Sequence, residues 1–152
     1  MAVETATIIV RQGKAYLSVT AQTEAGVFMG TEPVYIAPLT LEALVAALEK
    51  VIAAGHPRIP HPTPEEWRRL KDPVLQAAGV KSWRAFTQHS AVYNYTIDWS
   101  EQAVTVYIMQ LDHLGRAEYA SAKKMNFPKE TPLRTIVEAI LEDVHSRPEL
   151  QT

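Results

Sequence analysis

The sequence predicts an α+β fold in which two β-hairpin/sheet-plus-helix repeats pack as a pseudo-dimer, joined by a proline-rich connector with short helices. Three observations lead to this prediction. Strand-like runs precede an amphipathic helix in the first third of the chain, the same order returns in the last third, and four of the ten prolines fall within eight residues between them. We expect residues 1–152 to form a single compact unit, with sub-repeats at 7–55 and 91–147 and the connector at 56–90.

The first repeat contains short runs rich in β-branched and aromatic residues. Gly13 can adopt the positive φ of a tight hairpin turn, and Gly30 and Pro33 separate two later runs. Thr40 is the predicted N-cap of a helix whose apolar residues recur at the spacing of one helical face, and Gly55 is its predicted end. The strands are therefore predicted at 7–10, 15–20, 27–29 and 34–36.

The last repeat follows the same order. Strands are predicted at 91–97 and 103–109, with one or two more within 119–127. We expect Thr131 to cap the second helix, with Pro132 at its first position, where the missing N–H of proline costs least.

Aligning the two predicted caps gives an offset of 91 residues and matches several apolar positions. We interpret this as an internal duplication, and a chance match between two similar units is the alternative. The matched pairs are Tyr16 with Tyr107, Leu17 with Ile108, Val34 with Met125, and Ile36 with Phe127.

The connector at 56–90 holds three predicted helix starts. Thr63 and Glu66 form a capping-box pattern, and Asp72 and Ser82 stand before two more short helices. A basic stretch at 67–71 contains a tryptophan, as in some nucleic-acid-binding proteins.

The preferred interpretation of this stretch is structural. Trp67 and Leu70 are three residues apart and would face the core, as would Trp83 and Phe86. The connector carries six basic and three acidic residues, and this excess is too small to support phosphate binding. Nucleic acid is therefore not an expected partner.

Composition excludes several classes of protein. The chain has no cysteine, which excludes a disulfide scaffold, a thiolate metal site and a thiol nucleophile. Its formal charge is −2, which argues against a general polyanion binder. No apolar run is long enough to span a bilayer and the first residues do not resemble a signal peptide, so a cytoplasmic location without membrane attachment is expected.

Motifs for common enzyme and cofactor chemistry are missing. His56 and His61 are separated by prolines and cannot share one helical face as a zinc motif requires. No phosphate loop, dinucleotide fingerprint or nucleophile elbow occurs. We therefore expect no catalytic residue, no metal ligand and no cofactor. One enzymatic alternative stays open, in which His89 and Asp98 act together across a cleft.

The candidate partner-binding residues lie in two predicted loops. One is a hairpin turn at 98–102, and the other is a loop at 111–115 in which leucines flank acidic residues. Tryptophan is enriched at binding hot spots, although Trp99 could equally pack on its own sheet. The candidates are Asp98, Trp99, Glu101, Asp112 and His113.

The connector resembles a known bacterial family. Residues 74–86 read V-L-x-x-A-G-V-K-S-W-x-x-F, residues 32–36 read E-P-V-x-I, and residues 54–63 carry A-G-x-P-x-I-P-x-P-T. These runs resemble immunity proteins of contact-dependent growth inhibition systems, and the similarity extends over nearly the whole chain. Within the distinctive run, Gly79, Ser82, Trp83 and Phe86 are interpreted as a helix stop, a cap and two core anchors.

The resemblance implies a non-catalytic protein that binds and neutralises a cognate toxin domain. The acidic repeats would favour approach to a basic toxin. The alternative is a cytoplasmic binding module that takes a small ligand or a protein in the cleft between the repeats. The sequence leaves the oligomeric state open.

Overall fold

The computed structural model describes residues 3–152. Its elements follow the predicted order of strands, helix, connector, strands and helix. The strands are β1 (Thr5–Arg11), β2 (Lys14–Thr23), β3 (Phe28–Pro38), β4 (Arg58–Ile59), β5 (Tyr93–Trp99), β6 (Ala103–Gln110) and β7 (Lys123–Pro128). The helices are α1 (Leu41–Ala54), α2 (Pro64–Arg69), α3 (Pro73–Ala78), α4 (Trp83–Thr87) and α5 (Leu133–His145).

The strands form one sheet, which confirms the α+β class. Six of them are antiparallel in the order β3-β2-β1-β5-β6-β7, and the two-residue β4 runs parallel to the end of β2. The central pair joins the two halves of the chain, with Thr5 opposite Asp98 and Val10 opposite Tyr93. The two halves therefore share a continuous backbone hydrogen-bond network.

Helices cover the two faces of the sheet unequally. The long helices α1 and α5 pack together on one face and enclose the larger core, which we call the helix-side core. On the other face, called the open face, the short helices α3 and α4 cover only part of the sheet. The smaller cluster beneath them consists of Ile9, Tyr16, Val74, Leu75, Phe86, Val92 and Leu111.

Several local predictions are confirmed. Gly13 and Gln12 both have positive φ in the first hairpin, as a tight two-residue turn requires. Thr40 accepts a hydrogen bond from the Ala43 N–H, and Gly55 ends α1. In the connector, Thr63 and Glu66 form the reciprocal capping box of α2. Asp72 caps α3 and Ser82 caps α4.

Two local predictions are wrong. The segments expected as two strands form the single strand β3, because a bulge at the break in pairing between Ser18 and Val19 absorbs the extra residues instead of ending the strand. The N-cap of α5 is Pro132 and not Thr131. The Thr131 hydroxyl donates to the Pro128 carbonyl instead, so it stabilises the preceding turn.

The constant offset of 91 residues does not hold along the sheet. Leu17 and Ile108 both belong to the helix-side core, as the offset requires. Val34 contacts the open-face cluster, whereas Met125 contacts the helix-side core. Successive side chains of a strand point to opposite faces, so the true offset in this strand must differ from 91 by an odd number of residues. The match of Val34 with Met125 is therefore wrong, and so is the match of Ile36 with Phe127.

One carboxylate is buried beside the helix-side core. The side chain of Asp143 is 4% exposed and accepts hydrogen bonds from the Tyr95 hydroxyl at 2.7 Å, Lys123 Nζ at 2.9 Å and Arg147 Nε at 2.9 Å. Arg147 also stacks on the Tyr93 ring at 4.3 Å. This cluster ties the end of α5 to β5 and β7.

Within residues 3–152, no helix combines the length and the apolar character needed to cross a membrane.

Candidate functional site

Two neighbouring clefts lie on the open face. The first, which we call the seam groove, has a volume of about 680 Å³ and lies over the pairing of β1 with β5. The second, called the connector cleft, has a volume of about 1180 Å³ and lies between β3 and the connector helices. Met29, Gly30, Asp72 and Trp83 line both clefts, so the two form a continuous concave surface.

The floor of the seam groove is polar. The Thr5 hydroxyl donates to Asp98 Oδ1 at 2.8 Å, and the Asn94 amide donates to the Thr96 hydroxyl at 2.8 Å. The hydroxyl groups of Thr7 and Thr96 are 3.3 Å apart. The Thr5–Asp98 and Thr7–Thr96 contacts cross the seam between β1 and β5, whereas the Asn94–Thr96 bond lies within β5, so the central strands position the floor.

Acidic groups surround this floor. Glu4, Asp72 and Asp98 line the seam groove, and its lining contains no Lys, Arg or His among the described residues. Burial raises the pKa of Asp72, although the backbone N–H groups of Val74 and Leu75 partly oppose this effect by hydrogen bonding to the carboxylate. A cation next to this carboxylate would favour its charged form.

The connector cleft is bordered by exposed apolar side chains. Trp67 is 40% exposed, Leu70 47% and Leu114 63%. The prediction that Trp67 and Leu70 face the core is wrong, because α2 contains no buried residue. Its capping box and the ion pair between Arg69 and Glu65 are local interactions that support the helix without core packing.

Trp83 forms the wall between the two clefts. Its ring is half-buried and meets Phe86, which is fully buried, edge to face at 5.6 Å. Gly115 lies against the other side of the ring, and a Cβ there would be only 2.3 Å from the nearest ring atom. The loop at 112–116 can approach the ring this closely because position 115 has no side chain and has a φ of +74°.

The first group of predicted partner-binding residues is more enclosed than expected. Asp98 and Trp99 belong to β5 and not to the turn, and Trp99 packs against the helix-side core. The Ser100 N–H closes the turn on the Ala103 carbonyl, and Glu101 is exposed at its tip. Trp99 is therefore not an exposed side chain at the tip of the turn, because it points back onto its own sheet.

The second group is exposed as expected. Asp112 accepts hydrogen bonds from the N–H groups of Leu114 and Arg116, which hold its pKa below the usual value. His113 lines the connector cleft, and its Nδ1 lies 2.9 Å from the Thr87 hydroxyl. The two groups lie at opposite ends of β5, roughly 20 Å apart at ~3.3 Å per residue. The seam groove extends between these two ends, since its lining includes both Asp98 and Leu111.

The histidines have structural partners where the structure defines them. His56 lies between the Thr20 carbonyl and the Glu4 N–H, and His61 pairs with the Thr23 hydroxyl. His89 follows α4 near the first hairpin, a full strand length from Asp98, so the structure does not bring these two together. Among the described residues, no three His, Asp or Glu side chains are placed to hold a metal ion.

Comparison with known proteins identifies a similar fold and no family. No family model and no curated protein matches this sequence. Among solved structures, a protein of unknown function from Neisseria meningitidis superimposes with a TM-score of 0.58 over 91% of both chains, at 13% sequence identity. At this level of identity the similarity establishes a shared fold and leaves the function to be argued from the clefts.

Proposed function

We propose that this protein is a non-catalytic inhibitor of the immunity type, which binds a cognate bacterial toxin domain in the cytoplasm. The observation that carries the proposal is the exposed apolar rim of the connector cleft, formed by Trp67, Leu70 and Leu114. The sequence resemblance to immunity proteins gives this binding surface its expected partner.

The rim has the character of a protein interface. Large apolar side chains that cluster around one concave surface are typical of binding sites, and tryptophan is the residue most enriched at hot spots. Trp67 lies on α2 and Leu70 directly follows it, and α2 contributes no residue to the core. The exposed apolar surface of these two side chains is therefore available to a partner.

Charge supports a basic partner. Residues 1–55 carry three basic and five acidic groups, and residues 91–152 carry six and nine. These acidic repeats flank the open face and would attract a basic toxin domain, as complementary charges accelerate association.

An origin of the fold by internal duplication belongs to the same proposal. Two repeats that arose by duplication would place the seam groove at a pseudo-dimer seam, and the support is the shared order of three strands and a helix.

A matched pair of variants tests the interface. Leu70 and Ile36 are 47% and 49% exposed, but only Leu70 lines the connector cleft. We expect Leu70→Ala to weaken binding to the toxin domain by about tenfold, which corresponds to ~1.4 kcal/mol, and Ile36→Ala to change it less than twofold. Isothermal titration with the purified domain measures both. Equal effects of the two substitutions would contradict the proposed interface.

A second candidate function is a module that binds a small ligand in the seam groove. The recessed polar floor favours it, since Thr20, Asn94 and Thr96 are buried. Native mass spectrometry of the protein purified from its own cells tests this candidate. A retained small molecule that is lost in a Thr96→Val variant would favour it over the inhibitor.

A further inference from the structure

We propose that the seam groove is a receptor for an arginine side chain carried on an extended basic segment of the protein partner. This inference deepens the proposed function and rests on it for the identity of the partner. It begins from acidic and polar groups that line the groove and that no cation among the described residues neutralises.

The seam groove carries negative charge that no salt bridge neutralises among the described residues. Glu4, Asp72 and Asp98 line the groove, and none of them takes part in a salt bridge among residues 3–152. The groove lining in this part of the chain contains no cation that could neutralise them. An occupant that brings positive charge would therefore gain Coulomb energy at a recessed site, where water screens it less than at an open surface.

Two hydrogen-bond acceptors line the groove without a partner among the described residues. Thr20 and Asn94 are each 8% exposed and line the groove. The Asn94 amide donates to Thr96, but its carbonyl oxygen and the Thr20 hydroxyl have no hydrogen-bond partner in the described chain. Although both residues are largely buried, these two oxygen atoms are accessible from the groove, so a donor on a ligand can reach them.

An arginine side chain is the donor that fits these acceptors and charges best. A guanidinium presents five N–H groups in a plane and keeps its charge at all physiological pH values, so it can bond a carboxylate and neighbouring acceptors together. Aromatic side chains of Phe28, Trp83 and Tyr119 also line the groove. Aromatic faces favour a flat guanidinium over a hydrated ammonium group, which commits the proposal to arginine.

Variants of the groove test the proposal in the complex. Asp98→Asn keeps the acceptor for the Thr5 hydroxyl and removes only the charge, and Thr20→Val removes the free hydroxyl. We expect the first to weaken binding of the toxin domain at least tenfold and the second three- to tenfold. The control is Glu130→Gln, at an exposed position before α5 that lines neither cleft, and it should change binding less than twofold. Wild-type affinity in both groove variants would overturn the proposal while leaving the inhibitor function intact.

A small arginine peptide tests the groove separately from the identity of the partner. We expect the capped tripeptide acetyl-Gly-Arg-Gly-amide to cause saturable NMR shifts at the amides of Thr20, Asn94 and Thr96, and the Gly-Glu-Gly analogue to cause none. These shifts should appear whether or not a toxin partner is found, so the site can stand if the proposed partner fails. Absent shifts, or tighter binding of spermidine than of the arginine peptide, would overturn the assignment.

Discussion

Replacing Asp143 should reveal how strongly the buried ionic cluster holds the end of α5 against β5 and β7. In Asp143→Ala the Tyr95 hydroxyl loses its acceptor inside the core, and a buried unsatisfied donor costs about 1–3 kcal/mol. Arg147 is only 24% exposed and loses its carboxylate partner, and breaking a buried pair costs roughly 3–5 kcal/mol in total. Lys123 is 60% exposed and adds little. We expect a loss of about 3–5 kcal/mol in the free energy of unfolding.

The same cluster predicts a pH dependence. Burial by itself raises the pKa of Asp143, but hydrogen bonds from Arg147, Tyr95 and Lys123 outweigh it, so the pKa lies below its usual value. A carboxylate whose pKa is lowered on folding stabilises the fold above its unfolded pKa of 3.8, and this stabilisation is lost as the pH falls through the folded pKa. The wild type should therefore lose stability more steeply on acidification than Asp143→Asn.

Urea unfolding followed by circular dichroism measures both effects. The Asn variant keeps an acceptor for Tyr95 and should be intermediate in stability, and the m-value should stay constant across the series. A loss below about 1 kcal/mol in the Ala variant would refute the account of the cluster. So would identical acid sensitivity of the wild type and the Asn variant.

Three further substitutions examine the wall between the clefts and its support. Gly115→Ala should destabilise the fold by about 1–3 kcal/mol, because the new Cβ would overlap the Trp83 ring. Gly26 also has a positive φ but has open space around it, so Gly26→Ala should cost less. Equal losses in thermal unfolding would show that the Trp83 contact is unimportant. Trp83→Ala should cost about 3 kcal/mol in urea unfolding, at the lower end for an aromatic deletion because the ring is half-buried, and a neutral result would contradict its place in the core. Thr63→Ala should unfold α2 locally, seen as faster amide exchange there, with little change in global stability because α2 contributes nothing to the core.

Local chemistry explains which parts of the fold were predictable. The helix starts at Thr40, Thr63 and Ser82 depend on hydroxyl groups within three residues of the N–H groups they bond, so sequence alone places them. The prediction for Thr131 was wrong because α5 begins one residue later, and the Thr131 side chain is turned back to donate to the Pro128 carbonyl of the preceding turn.

Long-range packing explains the rest. Pairing of β1 with β5 joins residues more than eighty positions apart, and no local pattern specifies it. Trp67 has the spacing of a core residue, but its helix contains no buried residue, and the sequence pattern does not reveal that this part of the connector lies outside the core. Trp99 looked exposed because the turn was placed two residues early, and extending β5 by those residues returns the ring to the core.

The seam groove could not have been found from motifs. Its floor combines Thr5 and Thr7 with Asn94 and Thr96, which become neighbours only through the central strand pairing. A weak signal was present in both strands, where polar residues alternate with apolar ones at 5–8 and 93–98, which indicates one polar face on an otherwise buried sheet. Of the five predicted partner-binding residues, Asp98 alone contributes charge to this groove.

Growth rescue is the most direct test of the inhibitor function. The toxin domain that the tagged protein retains in a pull-down from its own cells would be induced in a bacterial host together with the wild-type protein, Leu70→Ala, Asp98→Asn or Ile36→Ala. The account predicts full rescue by the wild type and by Ile36→Ala, and reduced rescue by the two cleft variants at equal protein levels. Failure of the wild-type protein to restore growth, with both proteins present and folded, would contradict it.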